Sequence, residues 1–162
     1  MPRYVALLRG INVGGKTAVP MAELRAELEK LGLGKVKTHL NSGNALFESS
    51  LEEAALEPMI EDALGVRFGF QIPVLVRSAE EIHAAAEGLP FSSEQIEYAQ
   101  EAAGDAASLY MTFLSAPLPA EAAQRMASLK KPGETYVQSG RILYLLLEHS
   151  IRACKLFSSM DK

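Results

Sequence analysis

Leu40–Phe47, "LNSGNALF", and Val137–Tyr144, "VQSGRILY", decide how this chain is read. Each octet runs through an apolar residue, an amide, Ser-Gly, a polar residue, two small or apolar residues and an aromatic. Ser-Gly between two strand-like runs signals a tight turn, because glycine enters the left-handed backbone region at no steric cost. The strand-like Tyr4–Arg9 and the helix-like Pro20–Leu31 precede the first octet, and Leu109–Leu114 and Pro119–Leu129 precede the second. The order strand, helix, strand, strand is therefore read twice, as an internal repeat.

The surroundings of each octet extend this reading. Pro20 suits the start of a helix, Met21, Leu24, Leu28 and Leu31 recur at helical spacing, and Gly32 ends the run. Val36–Leu40 and Ala45–Glu48 flank the first turn. A helix within Leu51–Leu64, where Pro58 marks a kink or a late start, and a strand at Ile72–Arg77 complete a βαββαβ order. Ser78–Glu87 reads as a helix opened by the capping box "SAEE", and Ser92–Ala103 as another; Thr135–Gln138 and Ile142–Leu147 flank the second turn. The expected class is α+β, with two ferredoxin-like (α–β plait) βαββ(αβ) units, the second truncated at its C-terminus. Expected boundaries are 1–78 for the first unit with its glycine-rich loop, 79–107 for a helical linker and 108–162 for the second, incomplete unit. The chain stops in what reads as the closing helix of that unit, so either it is clipped or the last strand comes from elsewhere. A plait leaves one sheet face open, yet every residue of Ile142–Leu147 is apolar or Tyr. Strands apolar on both sides are covered on both sides, so the open faces are expected to pack on one another or in a homodimer.

Composition narrows the function. At 162 residues and 48% apolar, the chain supports a packed core. No apolar run is long enough to span a membrane, and the lone Cys154 points to a reducing cytoplasm. His39, His83 and His149 share no ligand spacing, so neither metal nor cofactor is expected. The net charge of −4 divides into +4 over residues 1–47, −11 over 48–105 and +3 over 106–162. That disfavours nucleic acid as a partner for the surface at large and leaves room for a local basic site near the N-terminus. An RNA-recognition module shares the element order, but beyond Tyr4 and Phe47 its stacking signature is not met. The acidic pairs Glu52/Glu53 and Glu80/Glu81 sit in first helical turns, where negative charge complements the helix dipole.

In a ferredoxin-like sheet the first and second strands run parallel with the third between them. The loop "RGINVGGKT" (Arg9–Thr17) then meets the turn "NSGN" (Asn41–Asn44) at one rim. The candidate ligand-binding residues are Arg9, Gly10, Asn12, Gly14, Gly15, Lys16, Asn41, Ser42, Gly43 and Asn44. Cations, amides and backbone N–H groups at glycines suit a small anionic or polar ligand. From Tyr4 to Leu40 is 36 residues and from Leu109 to Val137 only 28, most of the excess falling in this loop. Extra length on a repeated scaffold is where function concentrates. "GINVGGKT" also fits the phosphate-binding G-x-x-x-x-G-K-[ST] pattern. That chemistry needs a helix starting at Gly-Lys-Thr, inside which Pro20 would fall, and none of Asp62, Asp105 and Asp161 ends an apolar strand to help hold Mg²⁺. No catalytic residue is assigned: Ser42 reads as a turn residue, nothing in the sequence places Cys154 with His149, and Arg152 and Lys155 are the cations that could lower its thiol pKa. The leading reading is a non-enzymatic binder at the rim. The alternatives are an enzyme acting on a phosphorylated or nucleotide substrate there, with Arg9 and Lys16 stabilising charge, and a protein–protein interaction module using apolar sheet faces.

The stretches "YVALLRGINVGGK", "PMAELRAELEKLGL", "VKTHLNSGNALFES" and "IPVLVRSAEE" resemble the uncharacterised bacterial family called domain of unknown function 1697. The likeness is most specific in residues 3–48, good at 72–91 including "LPF", and continues through "LYMTFLS" and "IRACKL", where the family usually has serine at the position of Cys154. It implies two α–β plait units and no established activity, substrate or cofactor. The family's loop motif falls on Arg9, Gly10, Asn12, Gly14 and Gly15 and its hairpin motif on Ser42, Gly43 and Asn44, whereas Lys16 stands where the family often has other residues. The final basic-aromatic segment usual in the family is not present in this sequence.

Overall fold

Alternating apolar residues build the first sheet. The computed structural model describes residues 1–156. In β1 (Arg3–Leu8), Tyr4, Ala6 and Leu8 are buried, while Val5 and Leu7 on the other face are half-buried. Ala45 and Phe47 of β3 (Asn44–Glu48) and Val74 and Val76 of β4 (Val74–Ser78) join them on the same side. With β2 (Gly34–His39) the sheet order is β2-β3-β1-β4, and every adjacent pair is antiparallel. α1 (Met21–Lys30) contributes Leu24 and Leu28 to this core, and α2 (Glu53–Phe68) contributes Leu56, Ile60 and Leu64. The i, i+4 recurrence is what puts each set on one helical face. Pro58 lies inside α2, which begins at Glu53 rather than after the proline. The ring removes one intrahelical bond there without ending the helix.

α2 also closes an edge of the sheet. β4 is an edge strand, and the carboxylates of Glu57 and Glu61 accept from the backbone N–H groups of Val76 and Val74, each at 2.8 Å. Residues four apart on a helix rise about 6 Å and residues two apart on a strand about 6.7 Å, so the two spacings match. Unpaired edge donors, which would otherwise recruit another strand, are thereby satisfied. Arg77 is fully buried at the same edge, with its guanidinium 3.3 Å from Glu53, 3.2 Å from Glu57 and 3.8 Å from Glu81. Glu53 and Glu81 thus do more than complement a helix dipole. At the expected "SAEE" capping box the Glu81 N–H donates to Ser78 Oγ at 3.1 Å, and the Glu81 carboxylate lies 3.8 Å from the Arg77 guanidinium.

The chain divides into two compact units, Met1–Ala84 and Ala85–Lys162, with the boundary inside α3 (Ala79–Glu87). In the second, β5 (Leu109–Phe113), α5 (Ala120–Leu129), β6 (Glu134–Ser139) and β7 (Ile142–Leu147) follow the order of β1, α1, β2 and β3, and the sheet order is β5-β7-β6. Among the described residues the protein is thus mixed α+β, with two antiparallel sheets of four and three strands and five α-helices. The closing helix expected at the chain end lies largely outside the described residues; within them, Ile151–Ala153 forms a 3-10 turn.

The two signature octets share a topology but not a register. His39 pairs with Asn44 across a four-residue turn, whereas Ser139 pairs with Ile142 across only Gly140 and Arg141. Phe47 consequently packs in the core with α1 and α2, stacked on Tyr4 at 5.9 Å between centroids. Its sequence counterpart Tyr144 points away from α5, whose Met126 packs with Leu143, Leu145 and Leu147. An odd shift along a strand moves a side chain to the opposite face.

That second face of β7 is not left open. α4 (Ser93–Ala103) covers it, with Phe91 and Ala99 packed against Tyr144 and Leu146, and the Tyr144 hydroxyl donates to the Ala85 carbonyl at 2.8 Å. For this sheet the expectation that a second sheet or subunit covers the apolar face is corrected: the segment expected as a linker supplies the cover. A complete capping box at Ser92 and Gln95 starts the helix.

Candidate functional site

β1 and β2 both run antiparallel to β3, so the β1–α1 loop and the β2–β3 turn emerge at one end. They are in direct contact. The Leu8 N–H donates to the Gly43 carbonyl at 2.8 Å, and the Asn12 amide nitrogen donates to the Asn41 carbonyl at 2.7 Å. Asn12 also folds its own loop, donating to the Val19 carbonyl at 3.1 Å and accepting from the Val19 N–H at 2.8 Å. Its φ of 55° is a conformation asparagine tolerates better than most side chains. Thr17 closes the loop, its hydroxyl donating to the Val13 carbonyl at 3.0 Å and accepting from the Val13 N–H at 3.2 Å.

Several candidate ligand residues are therefore occupied by architecture. Both polar atoms of the Asn12 amide serve the backbone. Asn44 donates to the His39 carbonyl at 3.2 Å and to Ser42 Oγ at 3.3 Å, shaping the turn. Gly43 is buried with φ of 96°, and a β-carbon there would lie 2.7 Å from Ile11 Cδ1 and 2.8 Å from Leu8 Cβ. Gly10, Gly14 and Gly15 all have positive φ with open space around them, so there the backbone conformation demands glycine. What the rim presents to solvent is Arg9, Lys16, Asn41 and Ser42, together with exposed Val13 and the exposed Leu40 at φ of 61°. α1 starts at Met21, with Pro20 as its N-cap residue, so Gly15, Lys16 and Thr17 lie in a turn and not at a helix N-terminus. The phosphate-loop geometry is not formed.

Two other arrangements were not legible in the sequence. Glu134 is buried, and two groups that follow β7 converge on it: the Cys154 thiol donates to Oε2 at 3.4 Å, and His149 Nε2 lies 3.5 Å from Oε1. Burial, and then the neighbouring carboxylate, push the Cys154 thiol up, overriding the opposing Leu156 backbone hydrogen bond and the charge of Lys131. This is the opposite of an activated thiolate. The second unit also holds a cleft of about 340 Å³, lined by Glu94, Gln95, Tyr98, Gly133, Thr135 and Glu148 over a floor of Ala99 and Leu146. Among the described residues no group of three or more His, Cys, Asp or Glu is arranged to hold a metal ion, and no helix is long and apolar enough to cross a membrane.

Comparison with known proteins agrees with the sequence resemblance. The solved structure of a conserved bacterial protein from Streptococcus pneumoniae is 32% identical, covering 95% of this chain and 81% of that one, with a TM-score of 0.71. No curated protein matches the sequence. The model of the family described as protein of unknown function (DUF1697) matches residues 1–144, and the chain belongs to that family.

Proposed function

We propose that the protein is a non-enzymatic binder of a small anionic or polar ligand, held at the rim where the Arg9–Lys16 loop meets the Asn41–Asn44 turn. The observation that carries this reading is the Asn12 lock. One side chain ties the loop to itself and to the turn, so Lys16 and the Ser42 hydroxyl are presented from a fixed frame. A preorganised loop loses little conformational entropy when a ligand arrives. The strand order β2-β3-β1-β4, with α1 and α2 sharing one core, also supports reading the first unit as an α–β plait and the second as an incomplete copy. The lone cysteine fits a cytoplasmic location.

A thermal-shift screen of the full chain against phosphate, sulfate, sugar phosphates and nucleotides, with and without Mg²⁺, tests the site. A ligand at a hundred times its dissociation constant adds about 2.7 kcal/mol, which raises the melting temperature visibly. The reading expects a stabilising anion whose effect is lost in Arg9→Ala or Lys16→Ala. No stabilisation by any of them defeats it. One observation favours a second reading, a homodimer through the first sheet: Leu46 of β3 is 44% exposed, on the face that also carries half-buried Val5, Leu7 and Leu75. A monomeric mass in solution at high micromolar concentration would dispose of it.

A further inference from the structure

The cleft of the second unit has the lining of a cation site. It is walled by two carboxylates, Glu94 and Glu148, and by the aromatic Tyr98, over the apolar floor of Ala99 and Leu146, and among the described residues no lysine or arginine lines it. Its volume of about 340 Å³ lies in the range of small-molecule pockets. Neither carboxylate is drawn into a side-chain hydrogen bond or ion pair among the described residues, and Tyr98 is 67% exposed, next to the buried Ala99 of the same helix. Glu148 is set in place by its surroundings. Its N–H donates to the Gly133 carbonyl at 2.9 Å, and a β-carbon on Gly133 would stand 3.1 Å from Glu148 Oε2 and 3.3 Å from its Cβ. Gly133, at φ of 81°, leaves the space that this carboxylate occupies.

We infer that this cleft binds a small organic cation, an alkylguanidinium or alkylammonium whose charged head sits between Glu94 and Glu148 and whose apolar body lies against Tyr98 and Leu146. A guanidinium matches a carboxylate with two parallel N–H donors and stacks on an aromatic face, so carboxylates beside a tyrosine over an apolar floor are its complement. The site is independent of the rim and stands or falls separately from the reading given for it.

Calorimetric titration of the full chain with propylguanidinium tests the inference, with tetramethylammonium, propanol and propanesulfonate alongside. The expected result is millimolar or tighter binding of the guanidinium, weakened about tenfold or more in Glu148→Gln and in Tyr98→Ala but retained in Tyr98→Phe. Glu148→Gln and Tyr98→Phe are nearly isosteric, all three variants leave the floor untouched, and a melting curve for each confirms folding. Absence of guanidinium binding by the wild-type chain overturns the inference. So does binding that Glu148→Gln and Tyr98→Ala leave unchanged, or propanol binding as tight as that of the cation.

Discussion

The Asn12 side-chain amide donates to the Asn41 carbonyl at 2.7 Å, joining two loops that are 29 residues apart in the chain. With its two bonds to Val19, this single residue ties the loop both to itself and to the turn. Asn12→Ala removes all three bonds and leaves alanine at a φ of 55°. The expected loss of stability is about 2–3 kcal/mol, from partly buried groups left unpaired and from left-handed backbone strain. Urea denaturation measures it. A loss under about 0.5 kcal/mol, the ordinary range of a surface substitution, would mean that the loop does not depend on this lock.

Gly43→Ala attacks the same junction by crowding. The new methyl would meet Ile11 Cδ1 at 2.7 Å and Leu8 Cβ at 2.8 Å, at a φ where only glycine is free of strain. Overpacking and the wrong backbone region together are expected to cost about 2–4 kcal/mol. The matched control is Gly14→Ala, where nothing lies within 4 Å of the added carbon, so only the conformational part, about 1 kcal/mol, remains. Equal losses at the two positions would contradict the packing argument.

The contrast between these glycines marks how far the sequence can be read. The element order follows from apolar periodicity and turn residues, local signals that survive without tertiary information. The meeting of loop and turn follows in turn from strand direction alone. The role of Asn12 does not: a glycine-flanked asparagine looks the same whether its amide faces a ligand or Val19. Register was hidden for a related reason. Ser-Gly occurs in both octets, but whether it lies wholly within the turn or starts at the last strand residue depends on pairing, and that decides which face Phe47 and Tyr144 occupy. Glu53, Glu57 and Glu61 do recur at helical spacing, a stripe visible in the sequence, yet only the fold supplies Arg77 and the edge N–H groups that they serve.

Arg77→Met isolates that edge. The arginine is wholly buried, whereas Glu53, Glu57 and Glu81 retain 26%, 28% and 28% side-chain exposure. Methionine fills much of the space but removes the guanidinium that the three carboxylates share. Breaking a buried ion cluster from one side costs about 3–5 kcal/mol. Glu81→Gln, which removes the longest contact at 3.8 Å, should cost under about 1 kcal/mol. Chemical denaturation of both variants checks the ranking, and an Arg77→Met chain as stable as wild type would show that the cluster contributes nothing net.

Cys154 gives a pH prediction whose sign is fixed. Its thiol is raised above the ordinary value, first by burial and further by the Glu134 carboxylate it donates to. A thiol held protonated by the fold contributes stability that is complete below the unfolded value of about 8.5 and is lost as pH rises through the higher folded value. Iodoacetamide should therefore modify the native chain more slowly at pH 8 than the urea-unfolded chain. Tyr4 is raised too, chiefly by burial and then by Glu52 and Glu53, but its unfolded value lies near 10, so its loss begins at higher pH. Cys154→Ser separates the two. The variant should lose the decline in stability between about pH 8.5 and 10 and keep the steeper fall above it. A wild-type thiol that reacts as fast folded as unfolded would mean that the contact with Glu134 does not hold in solution.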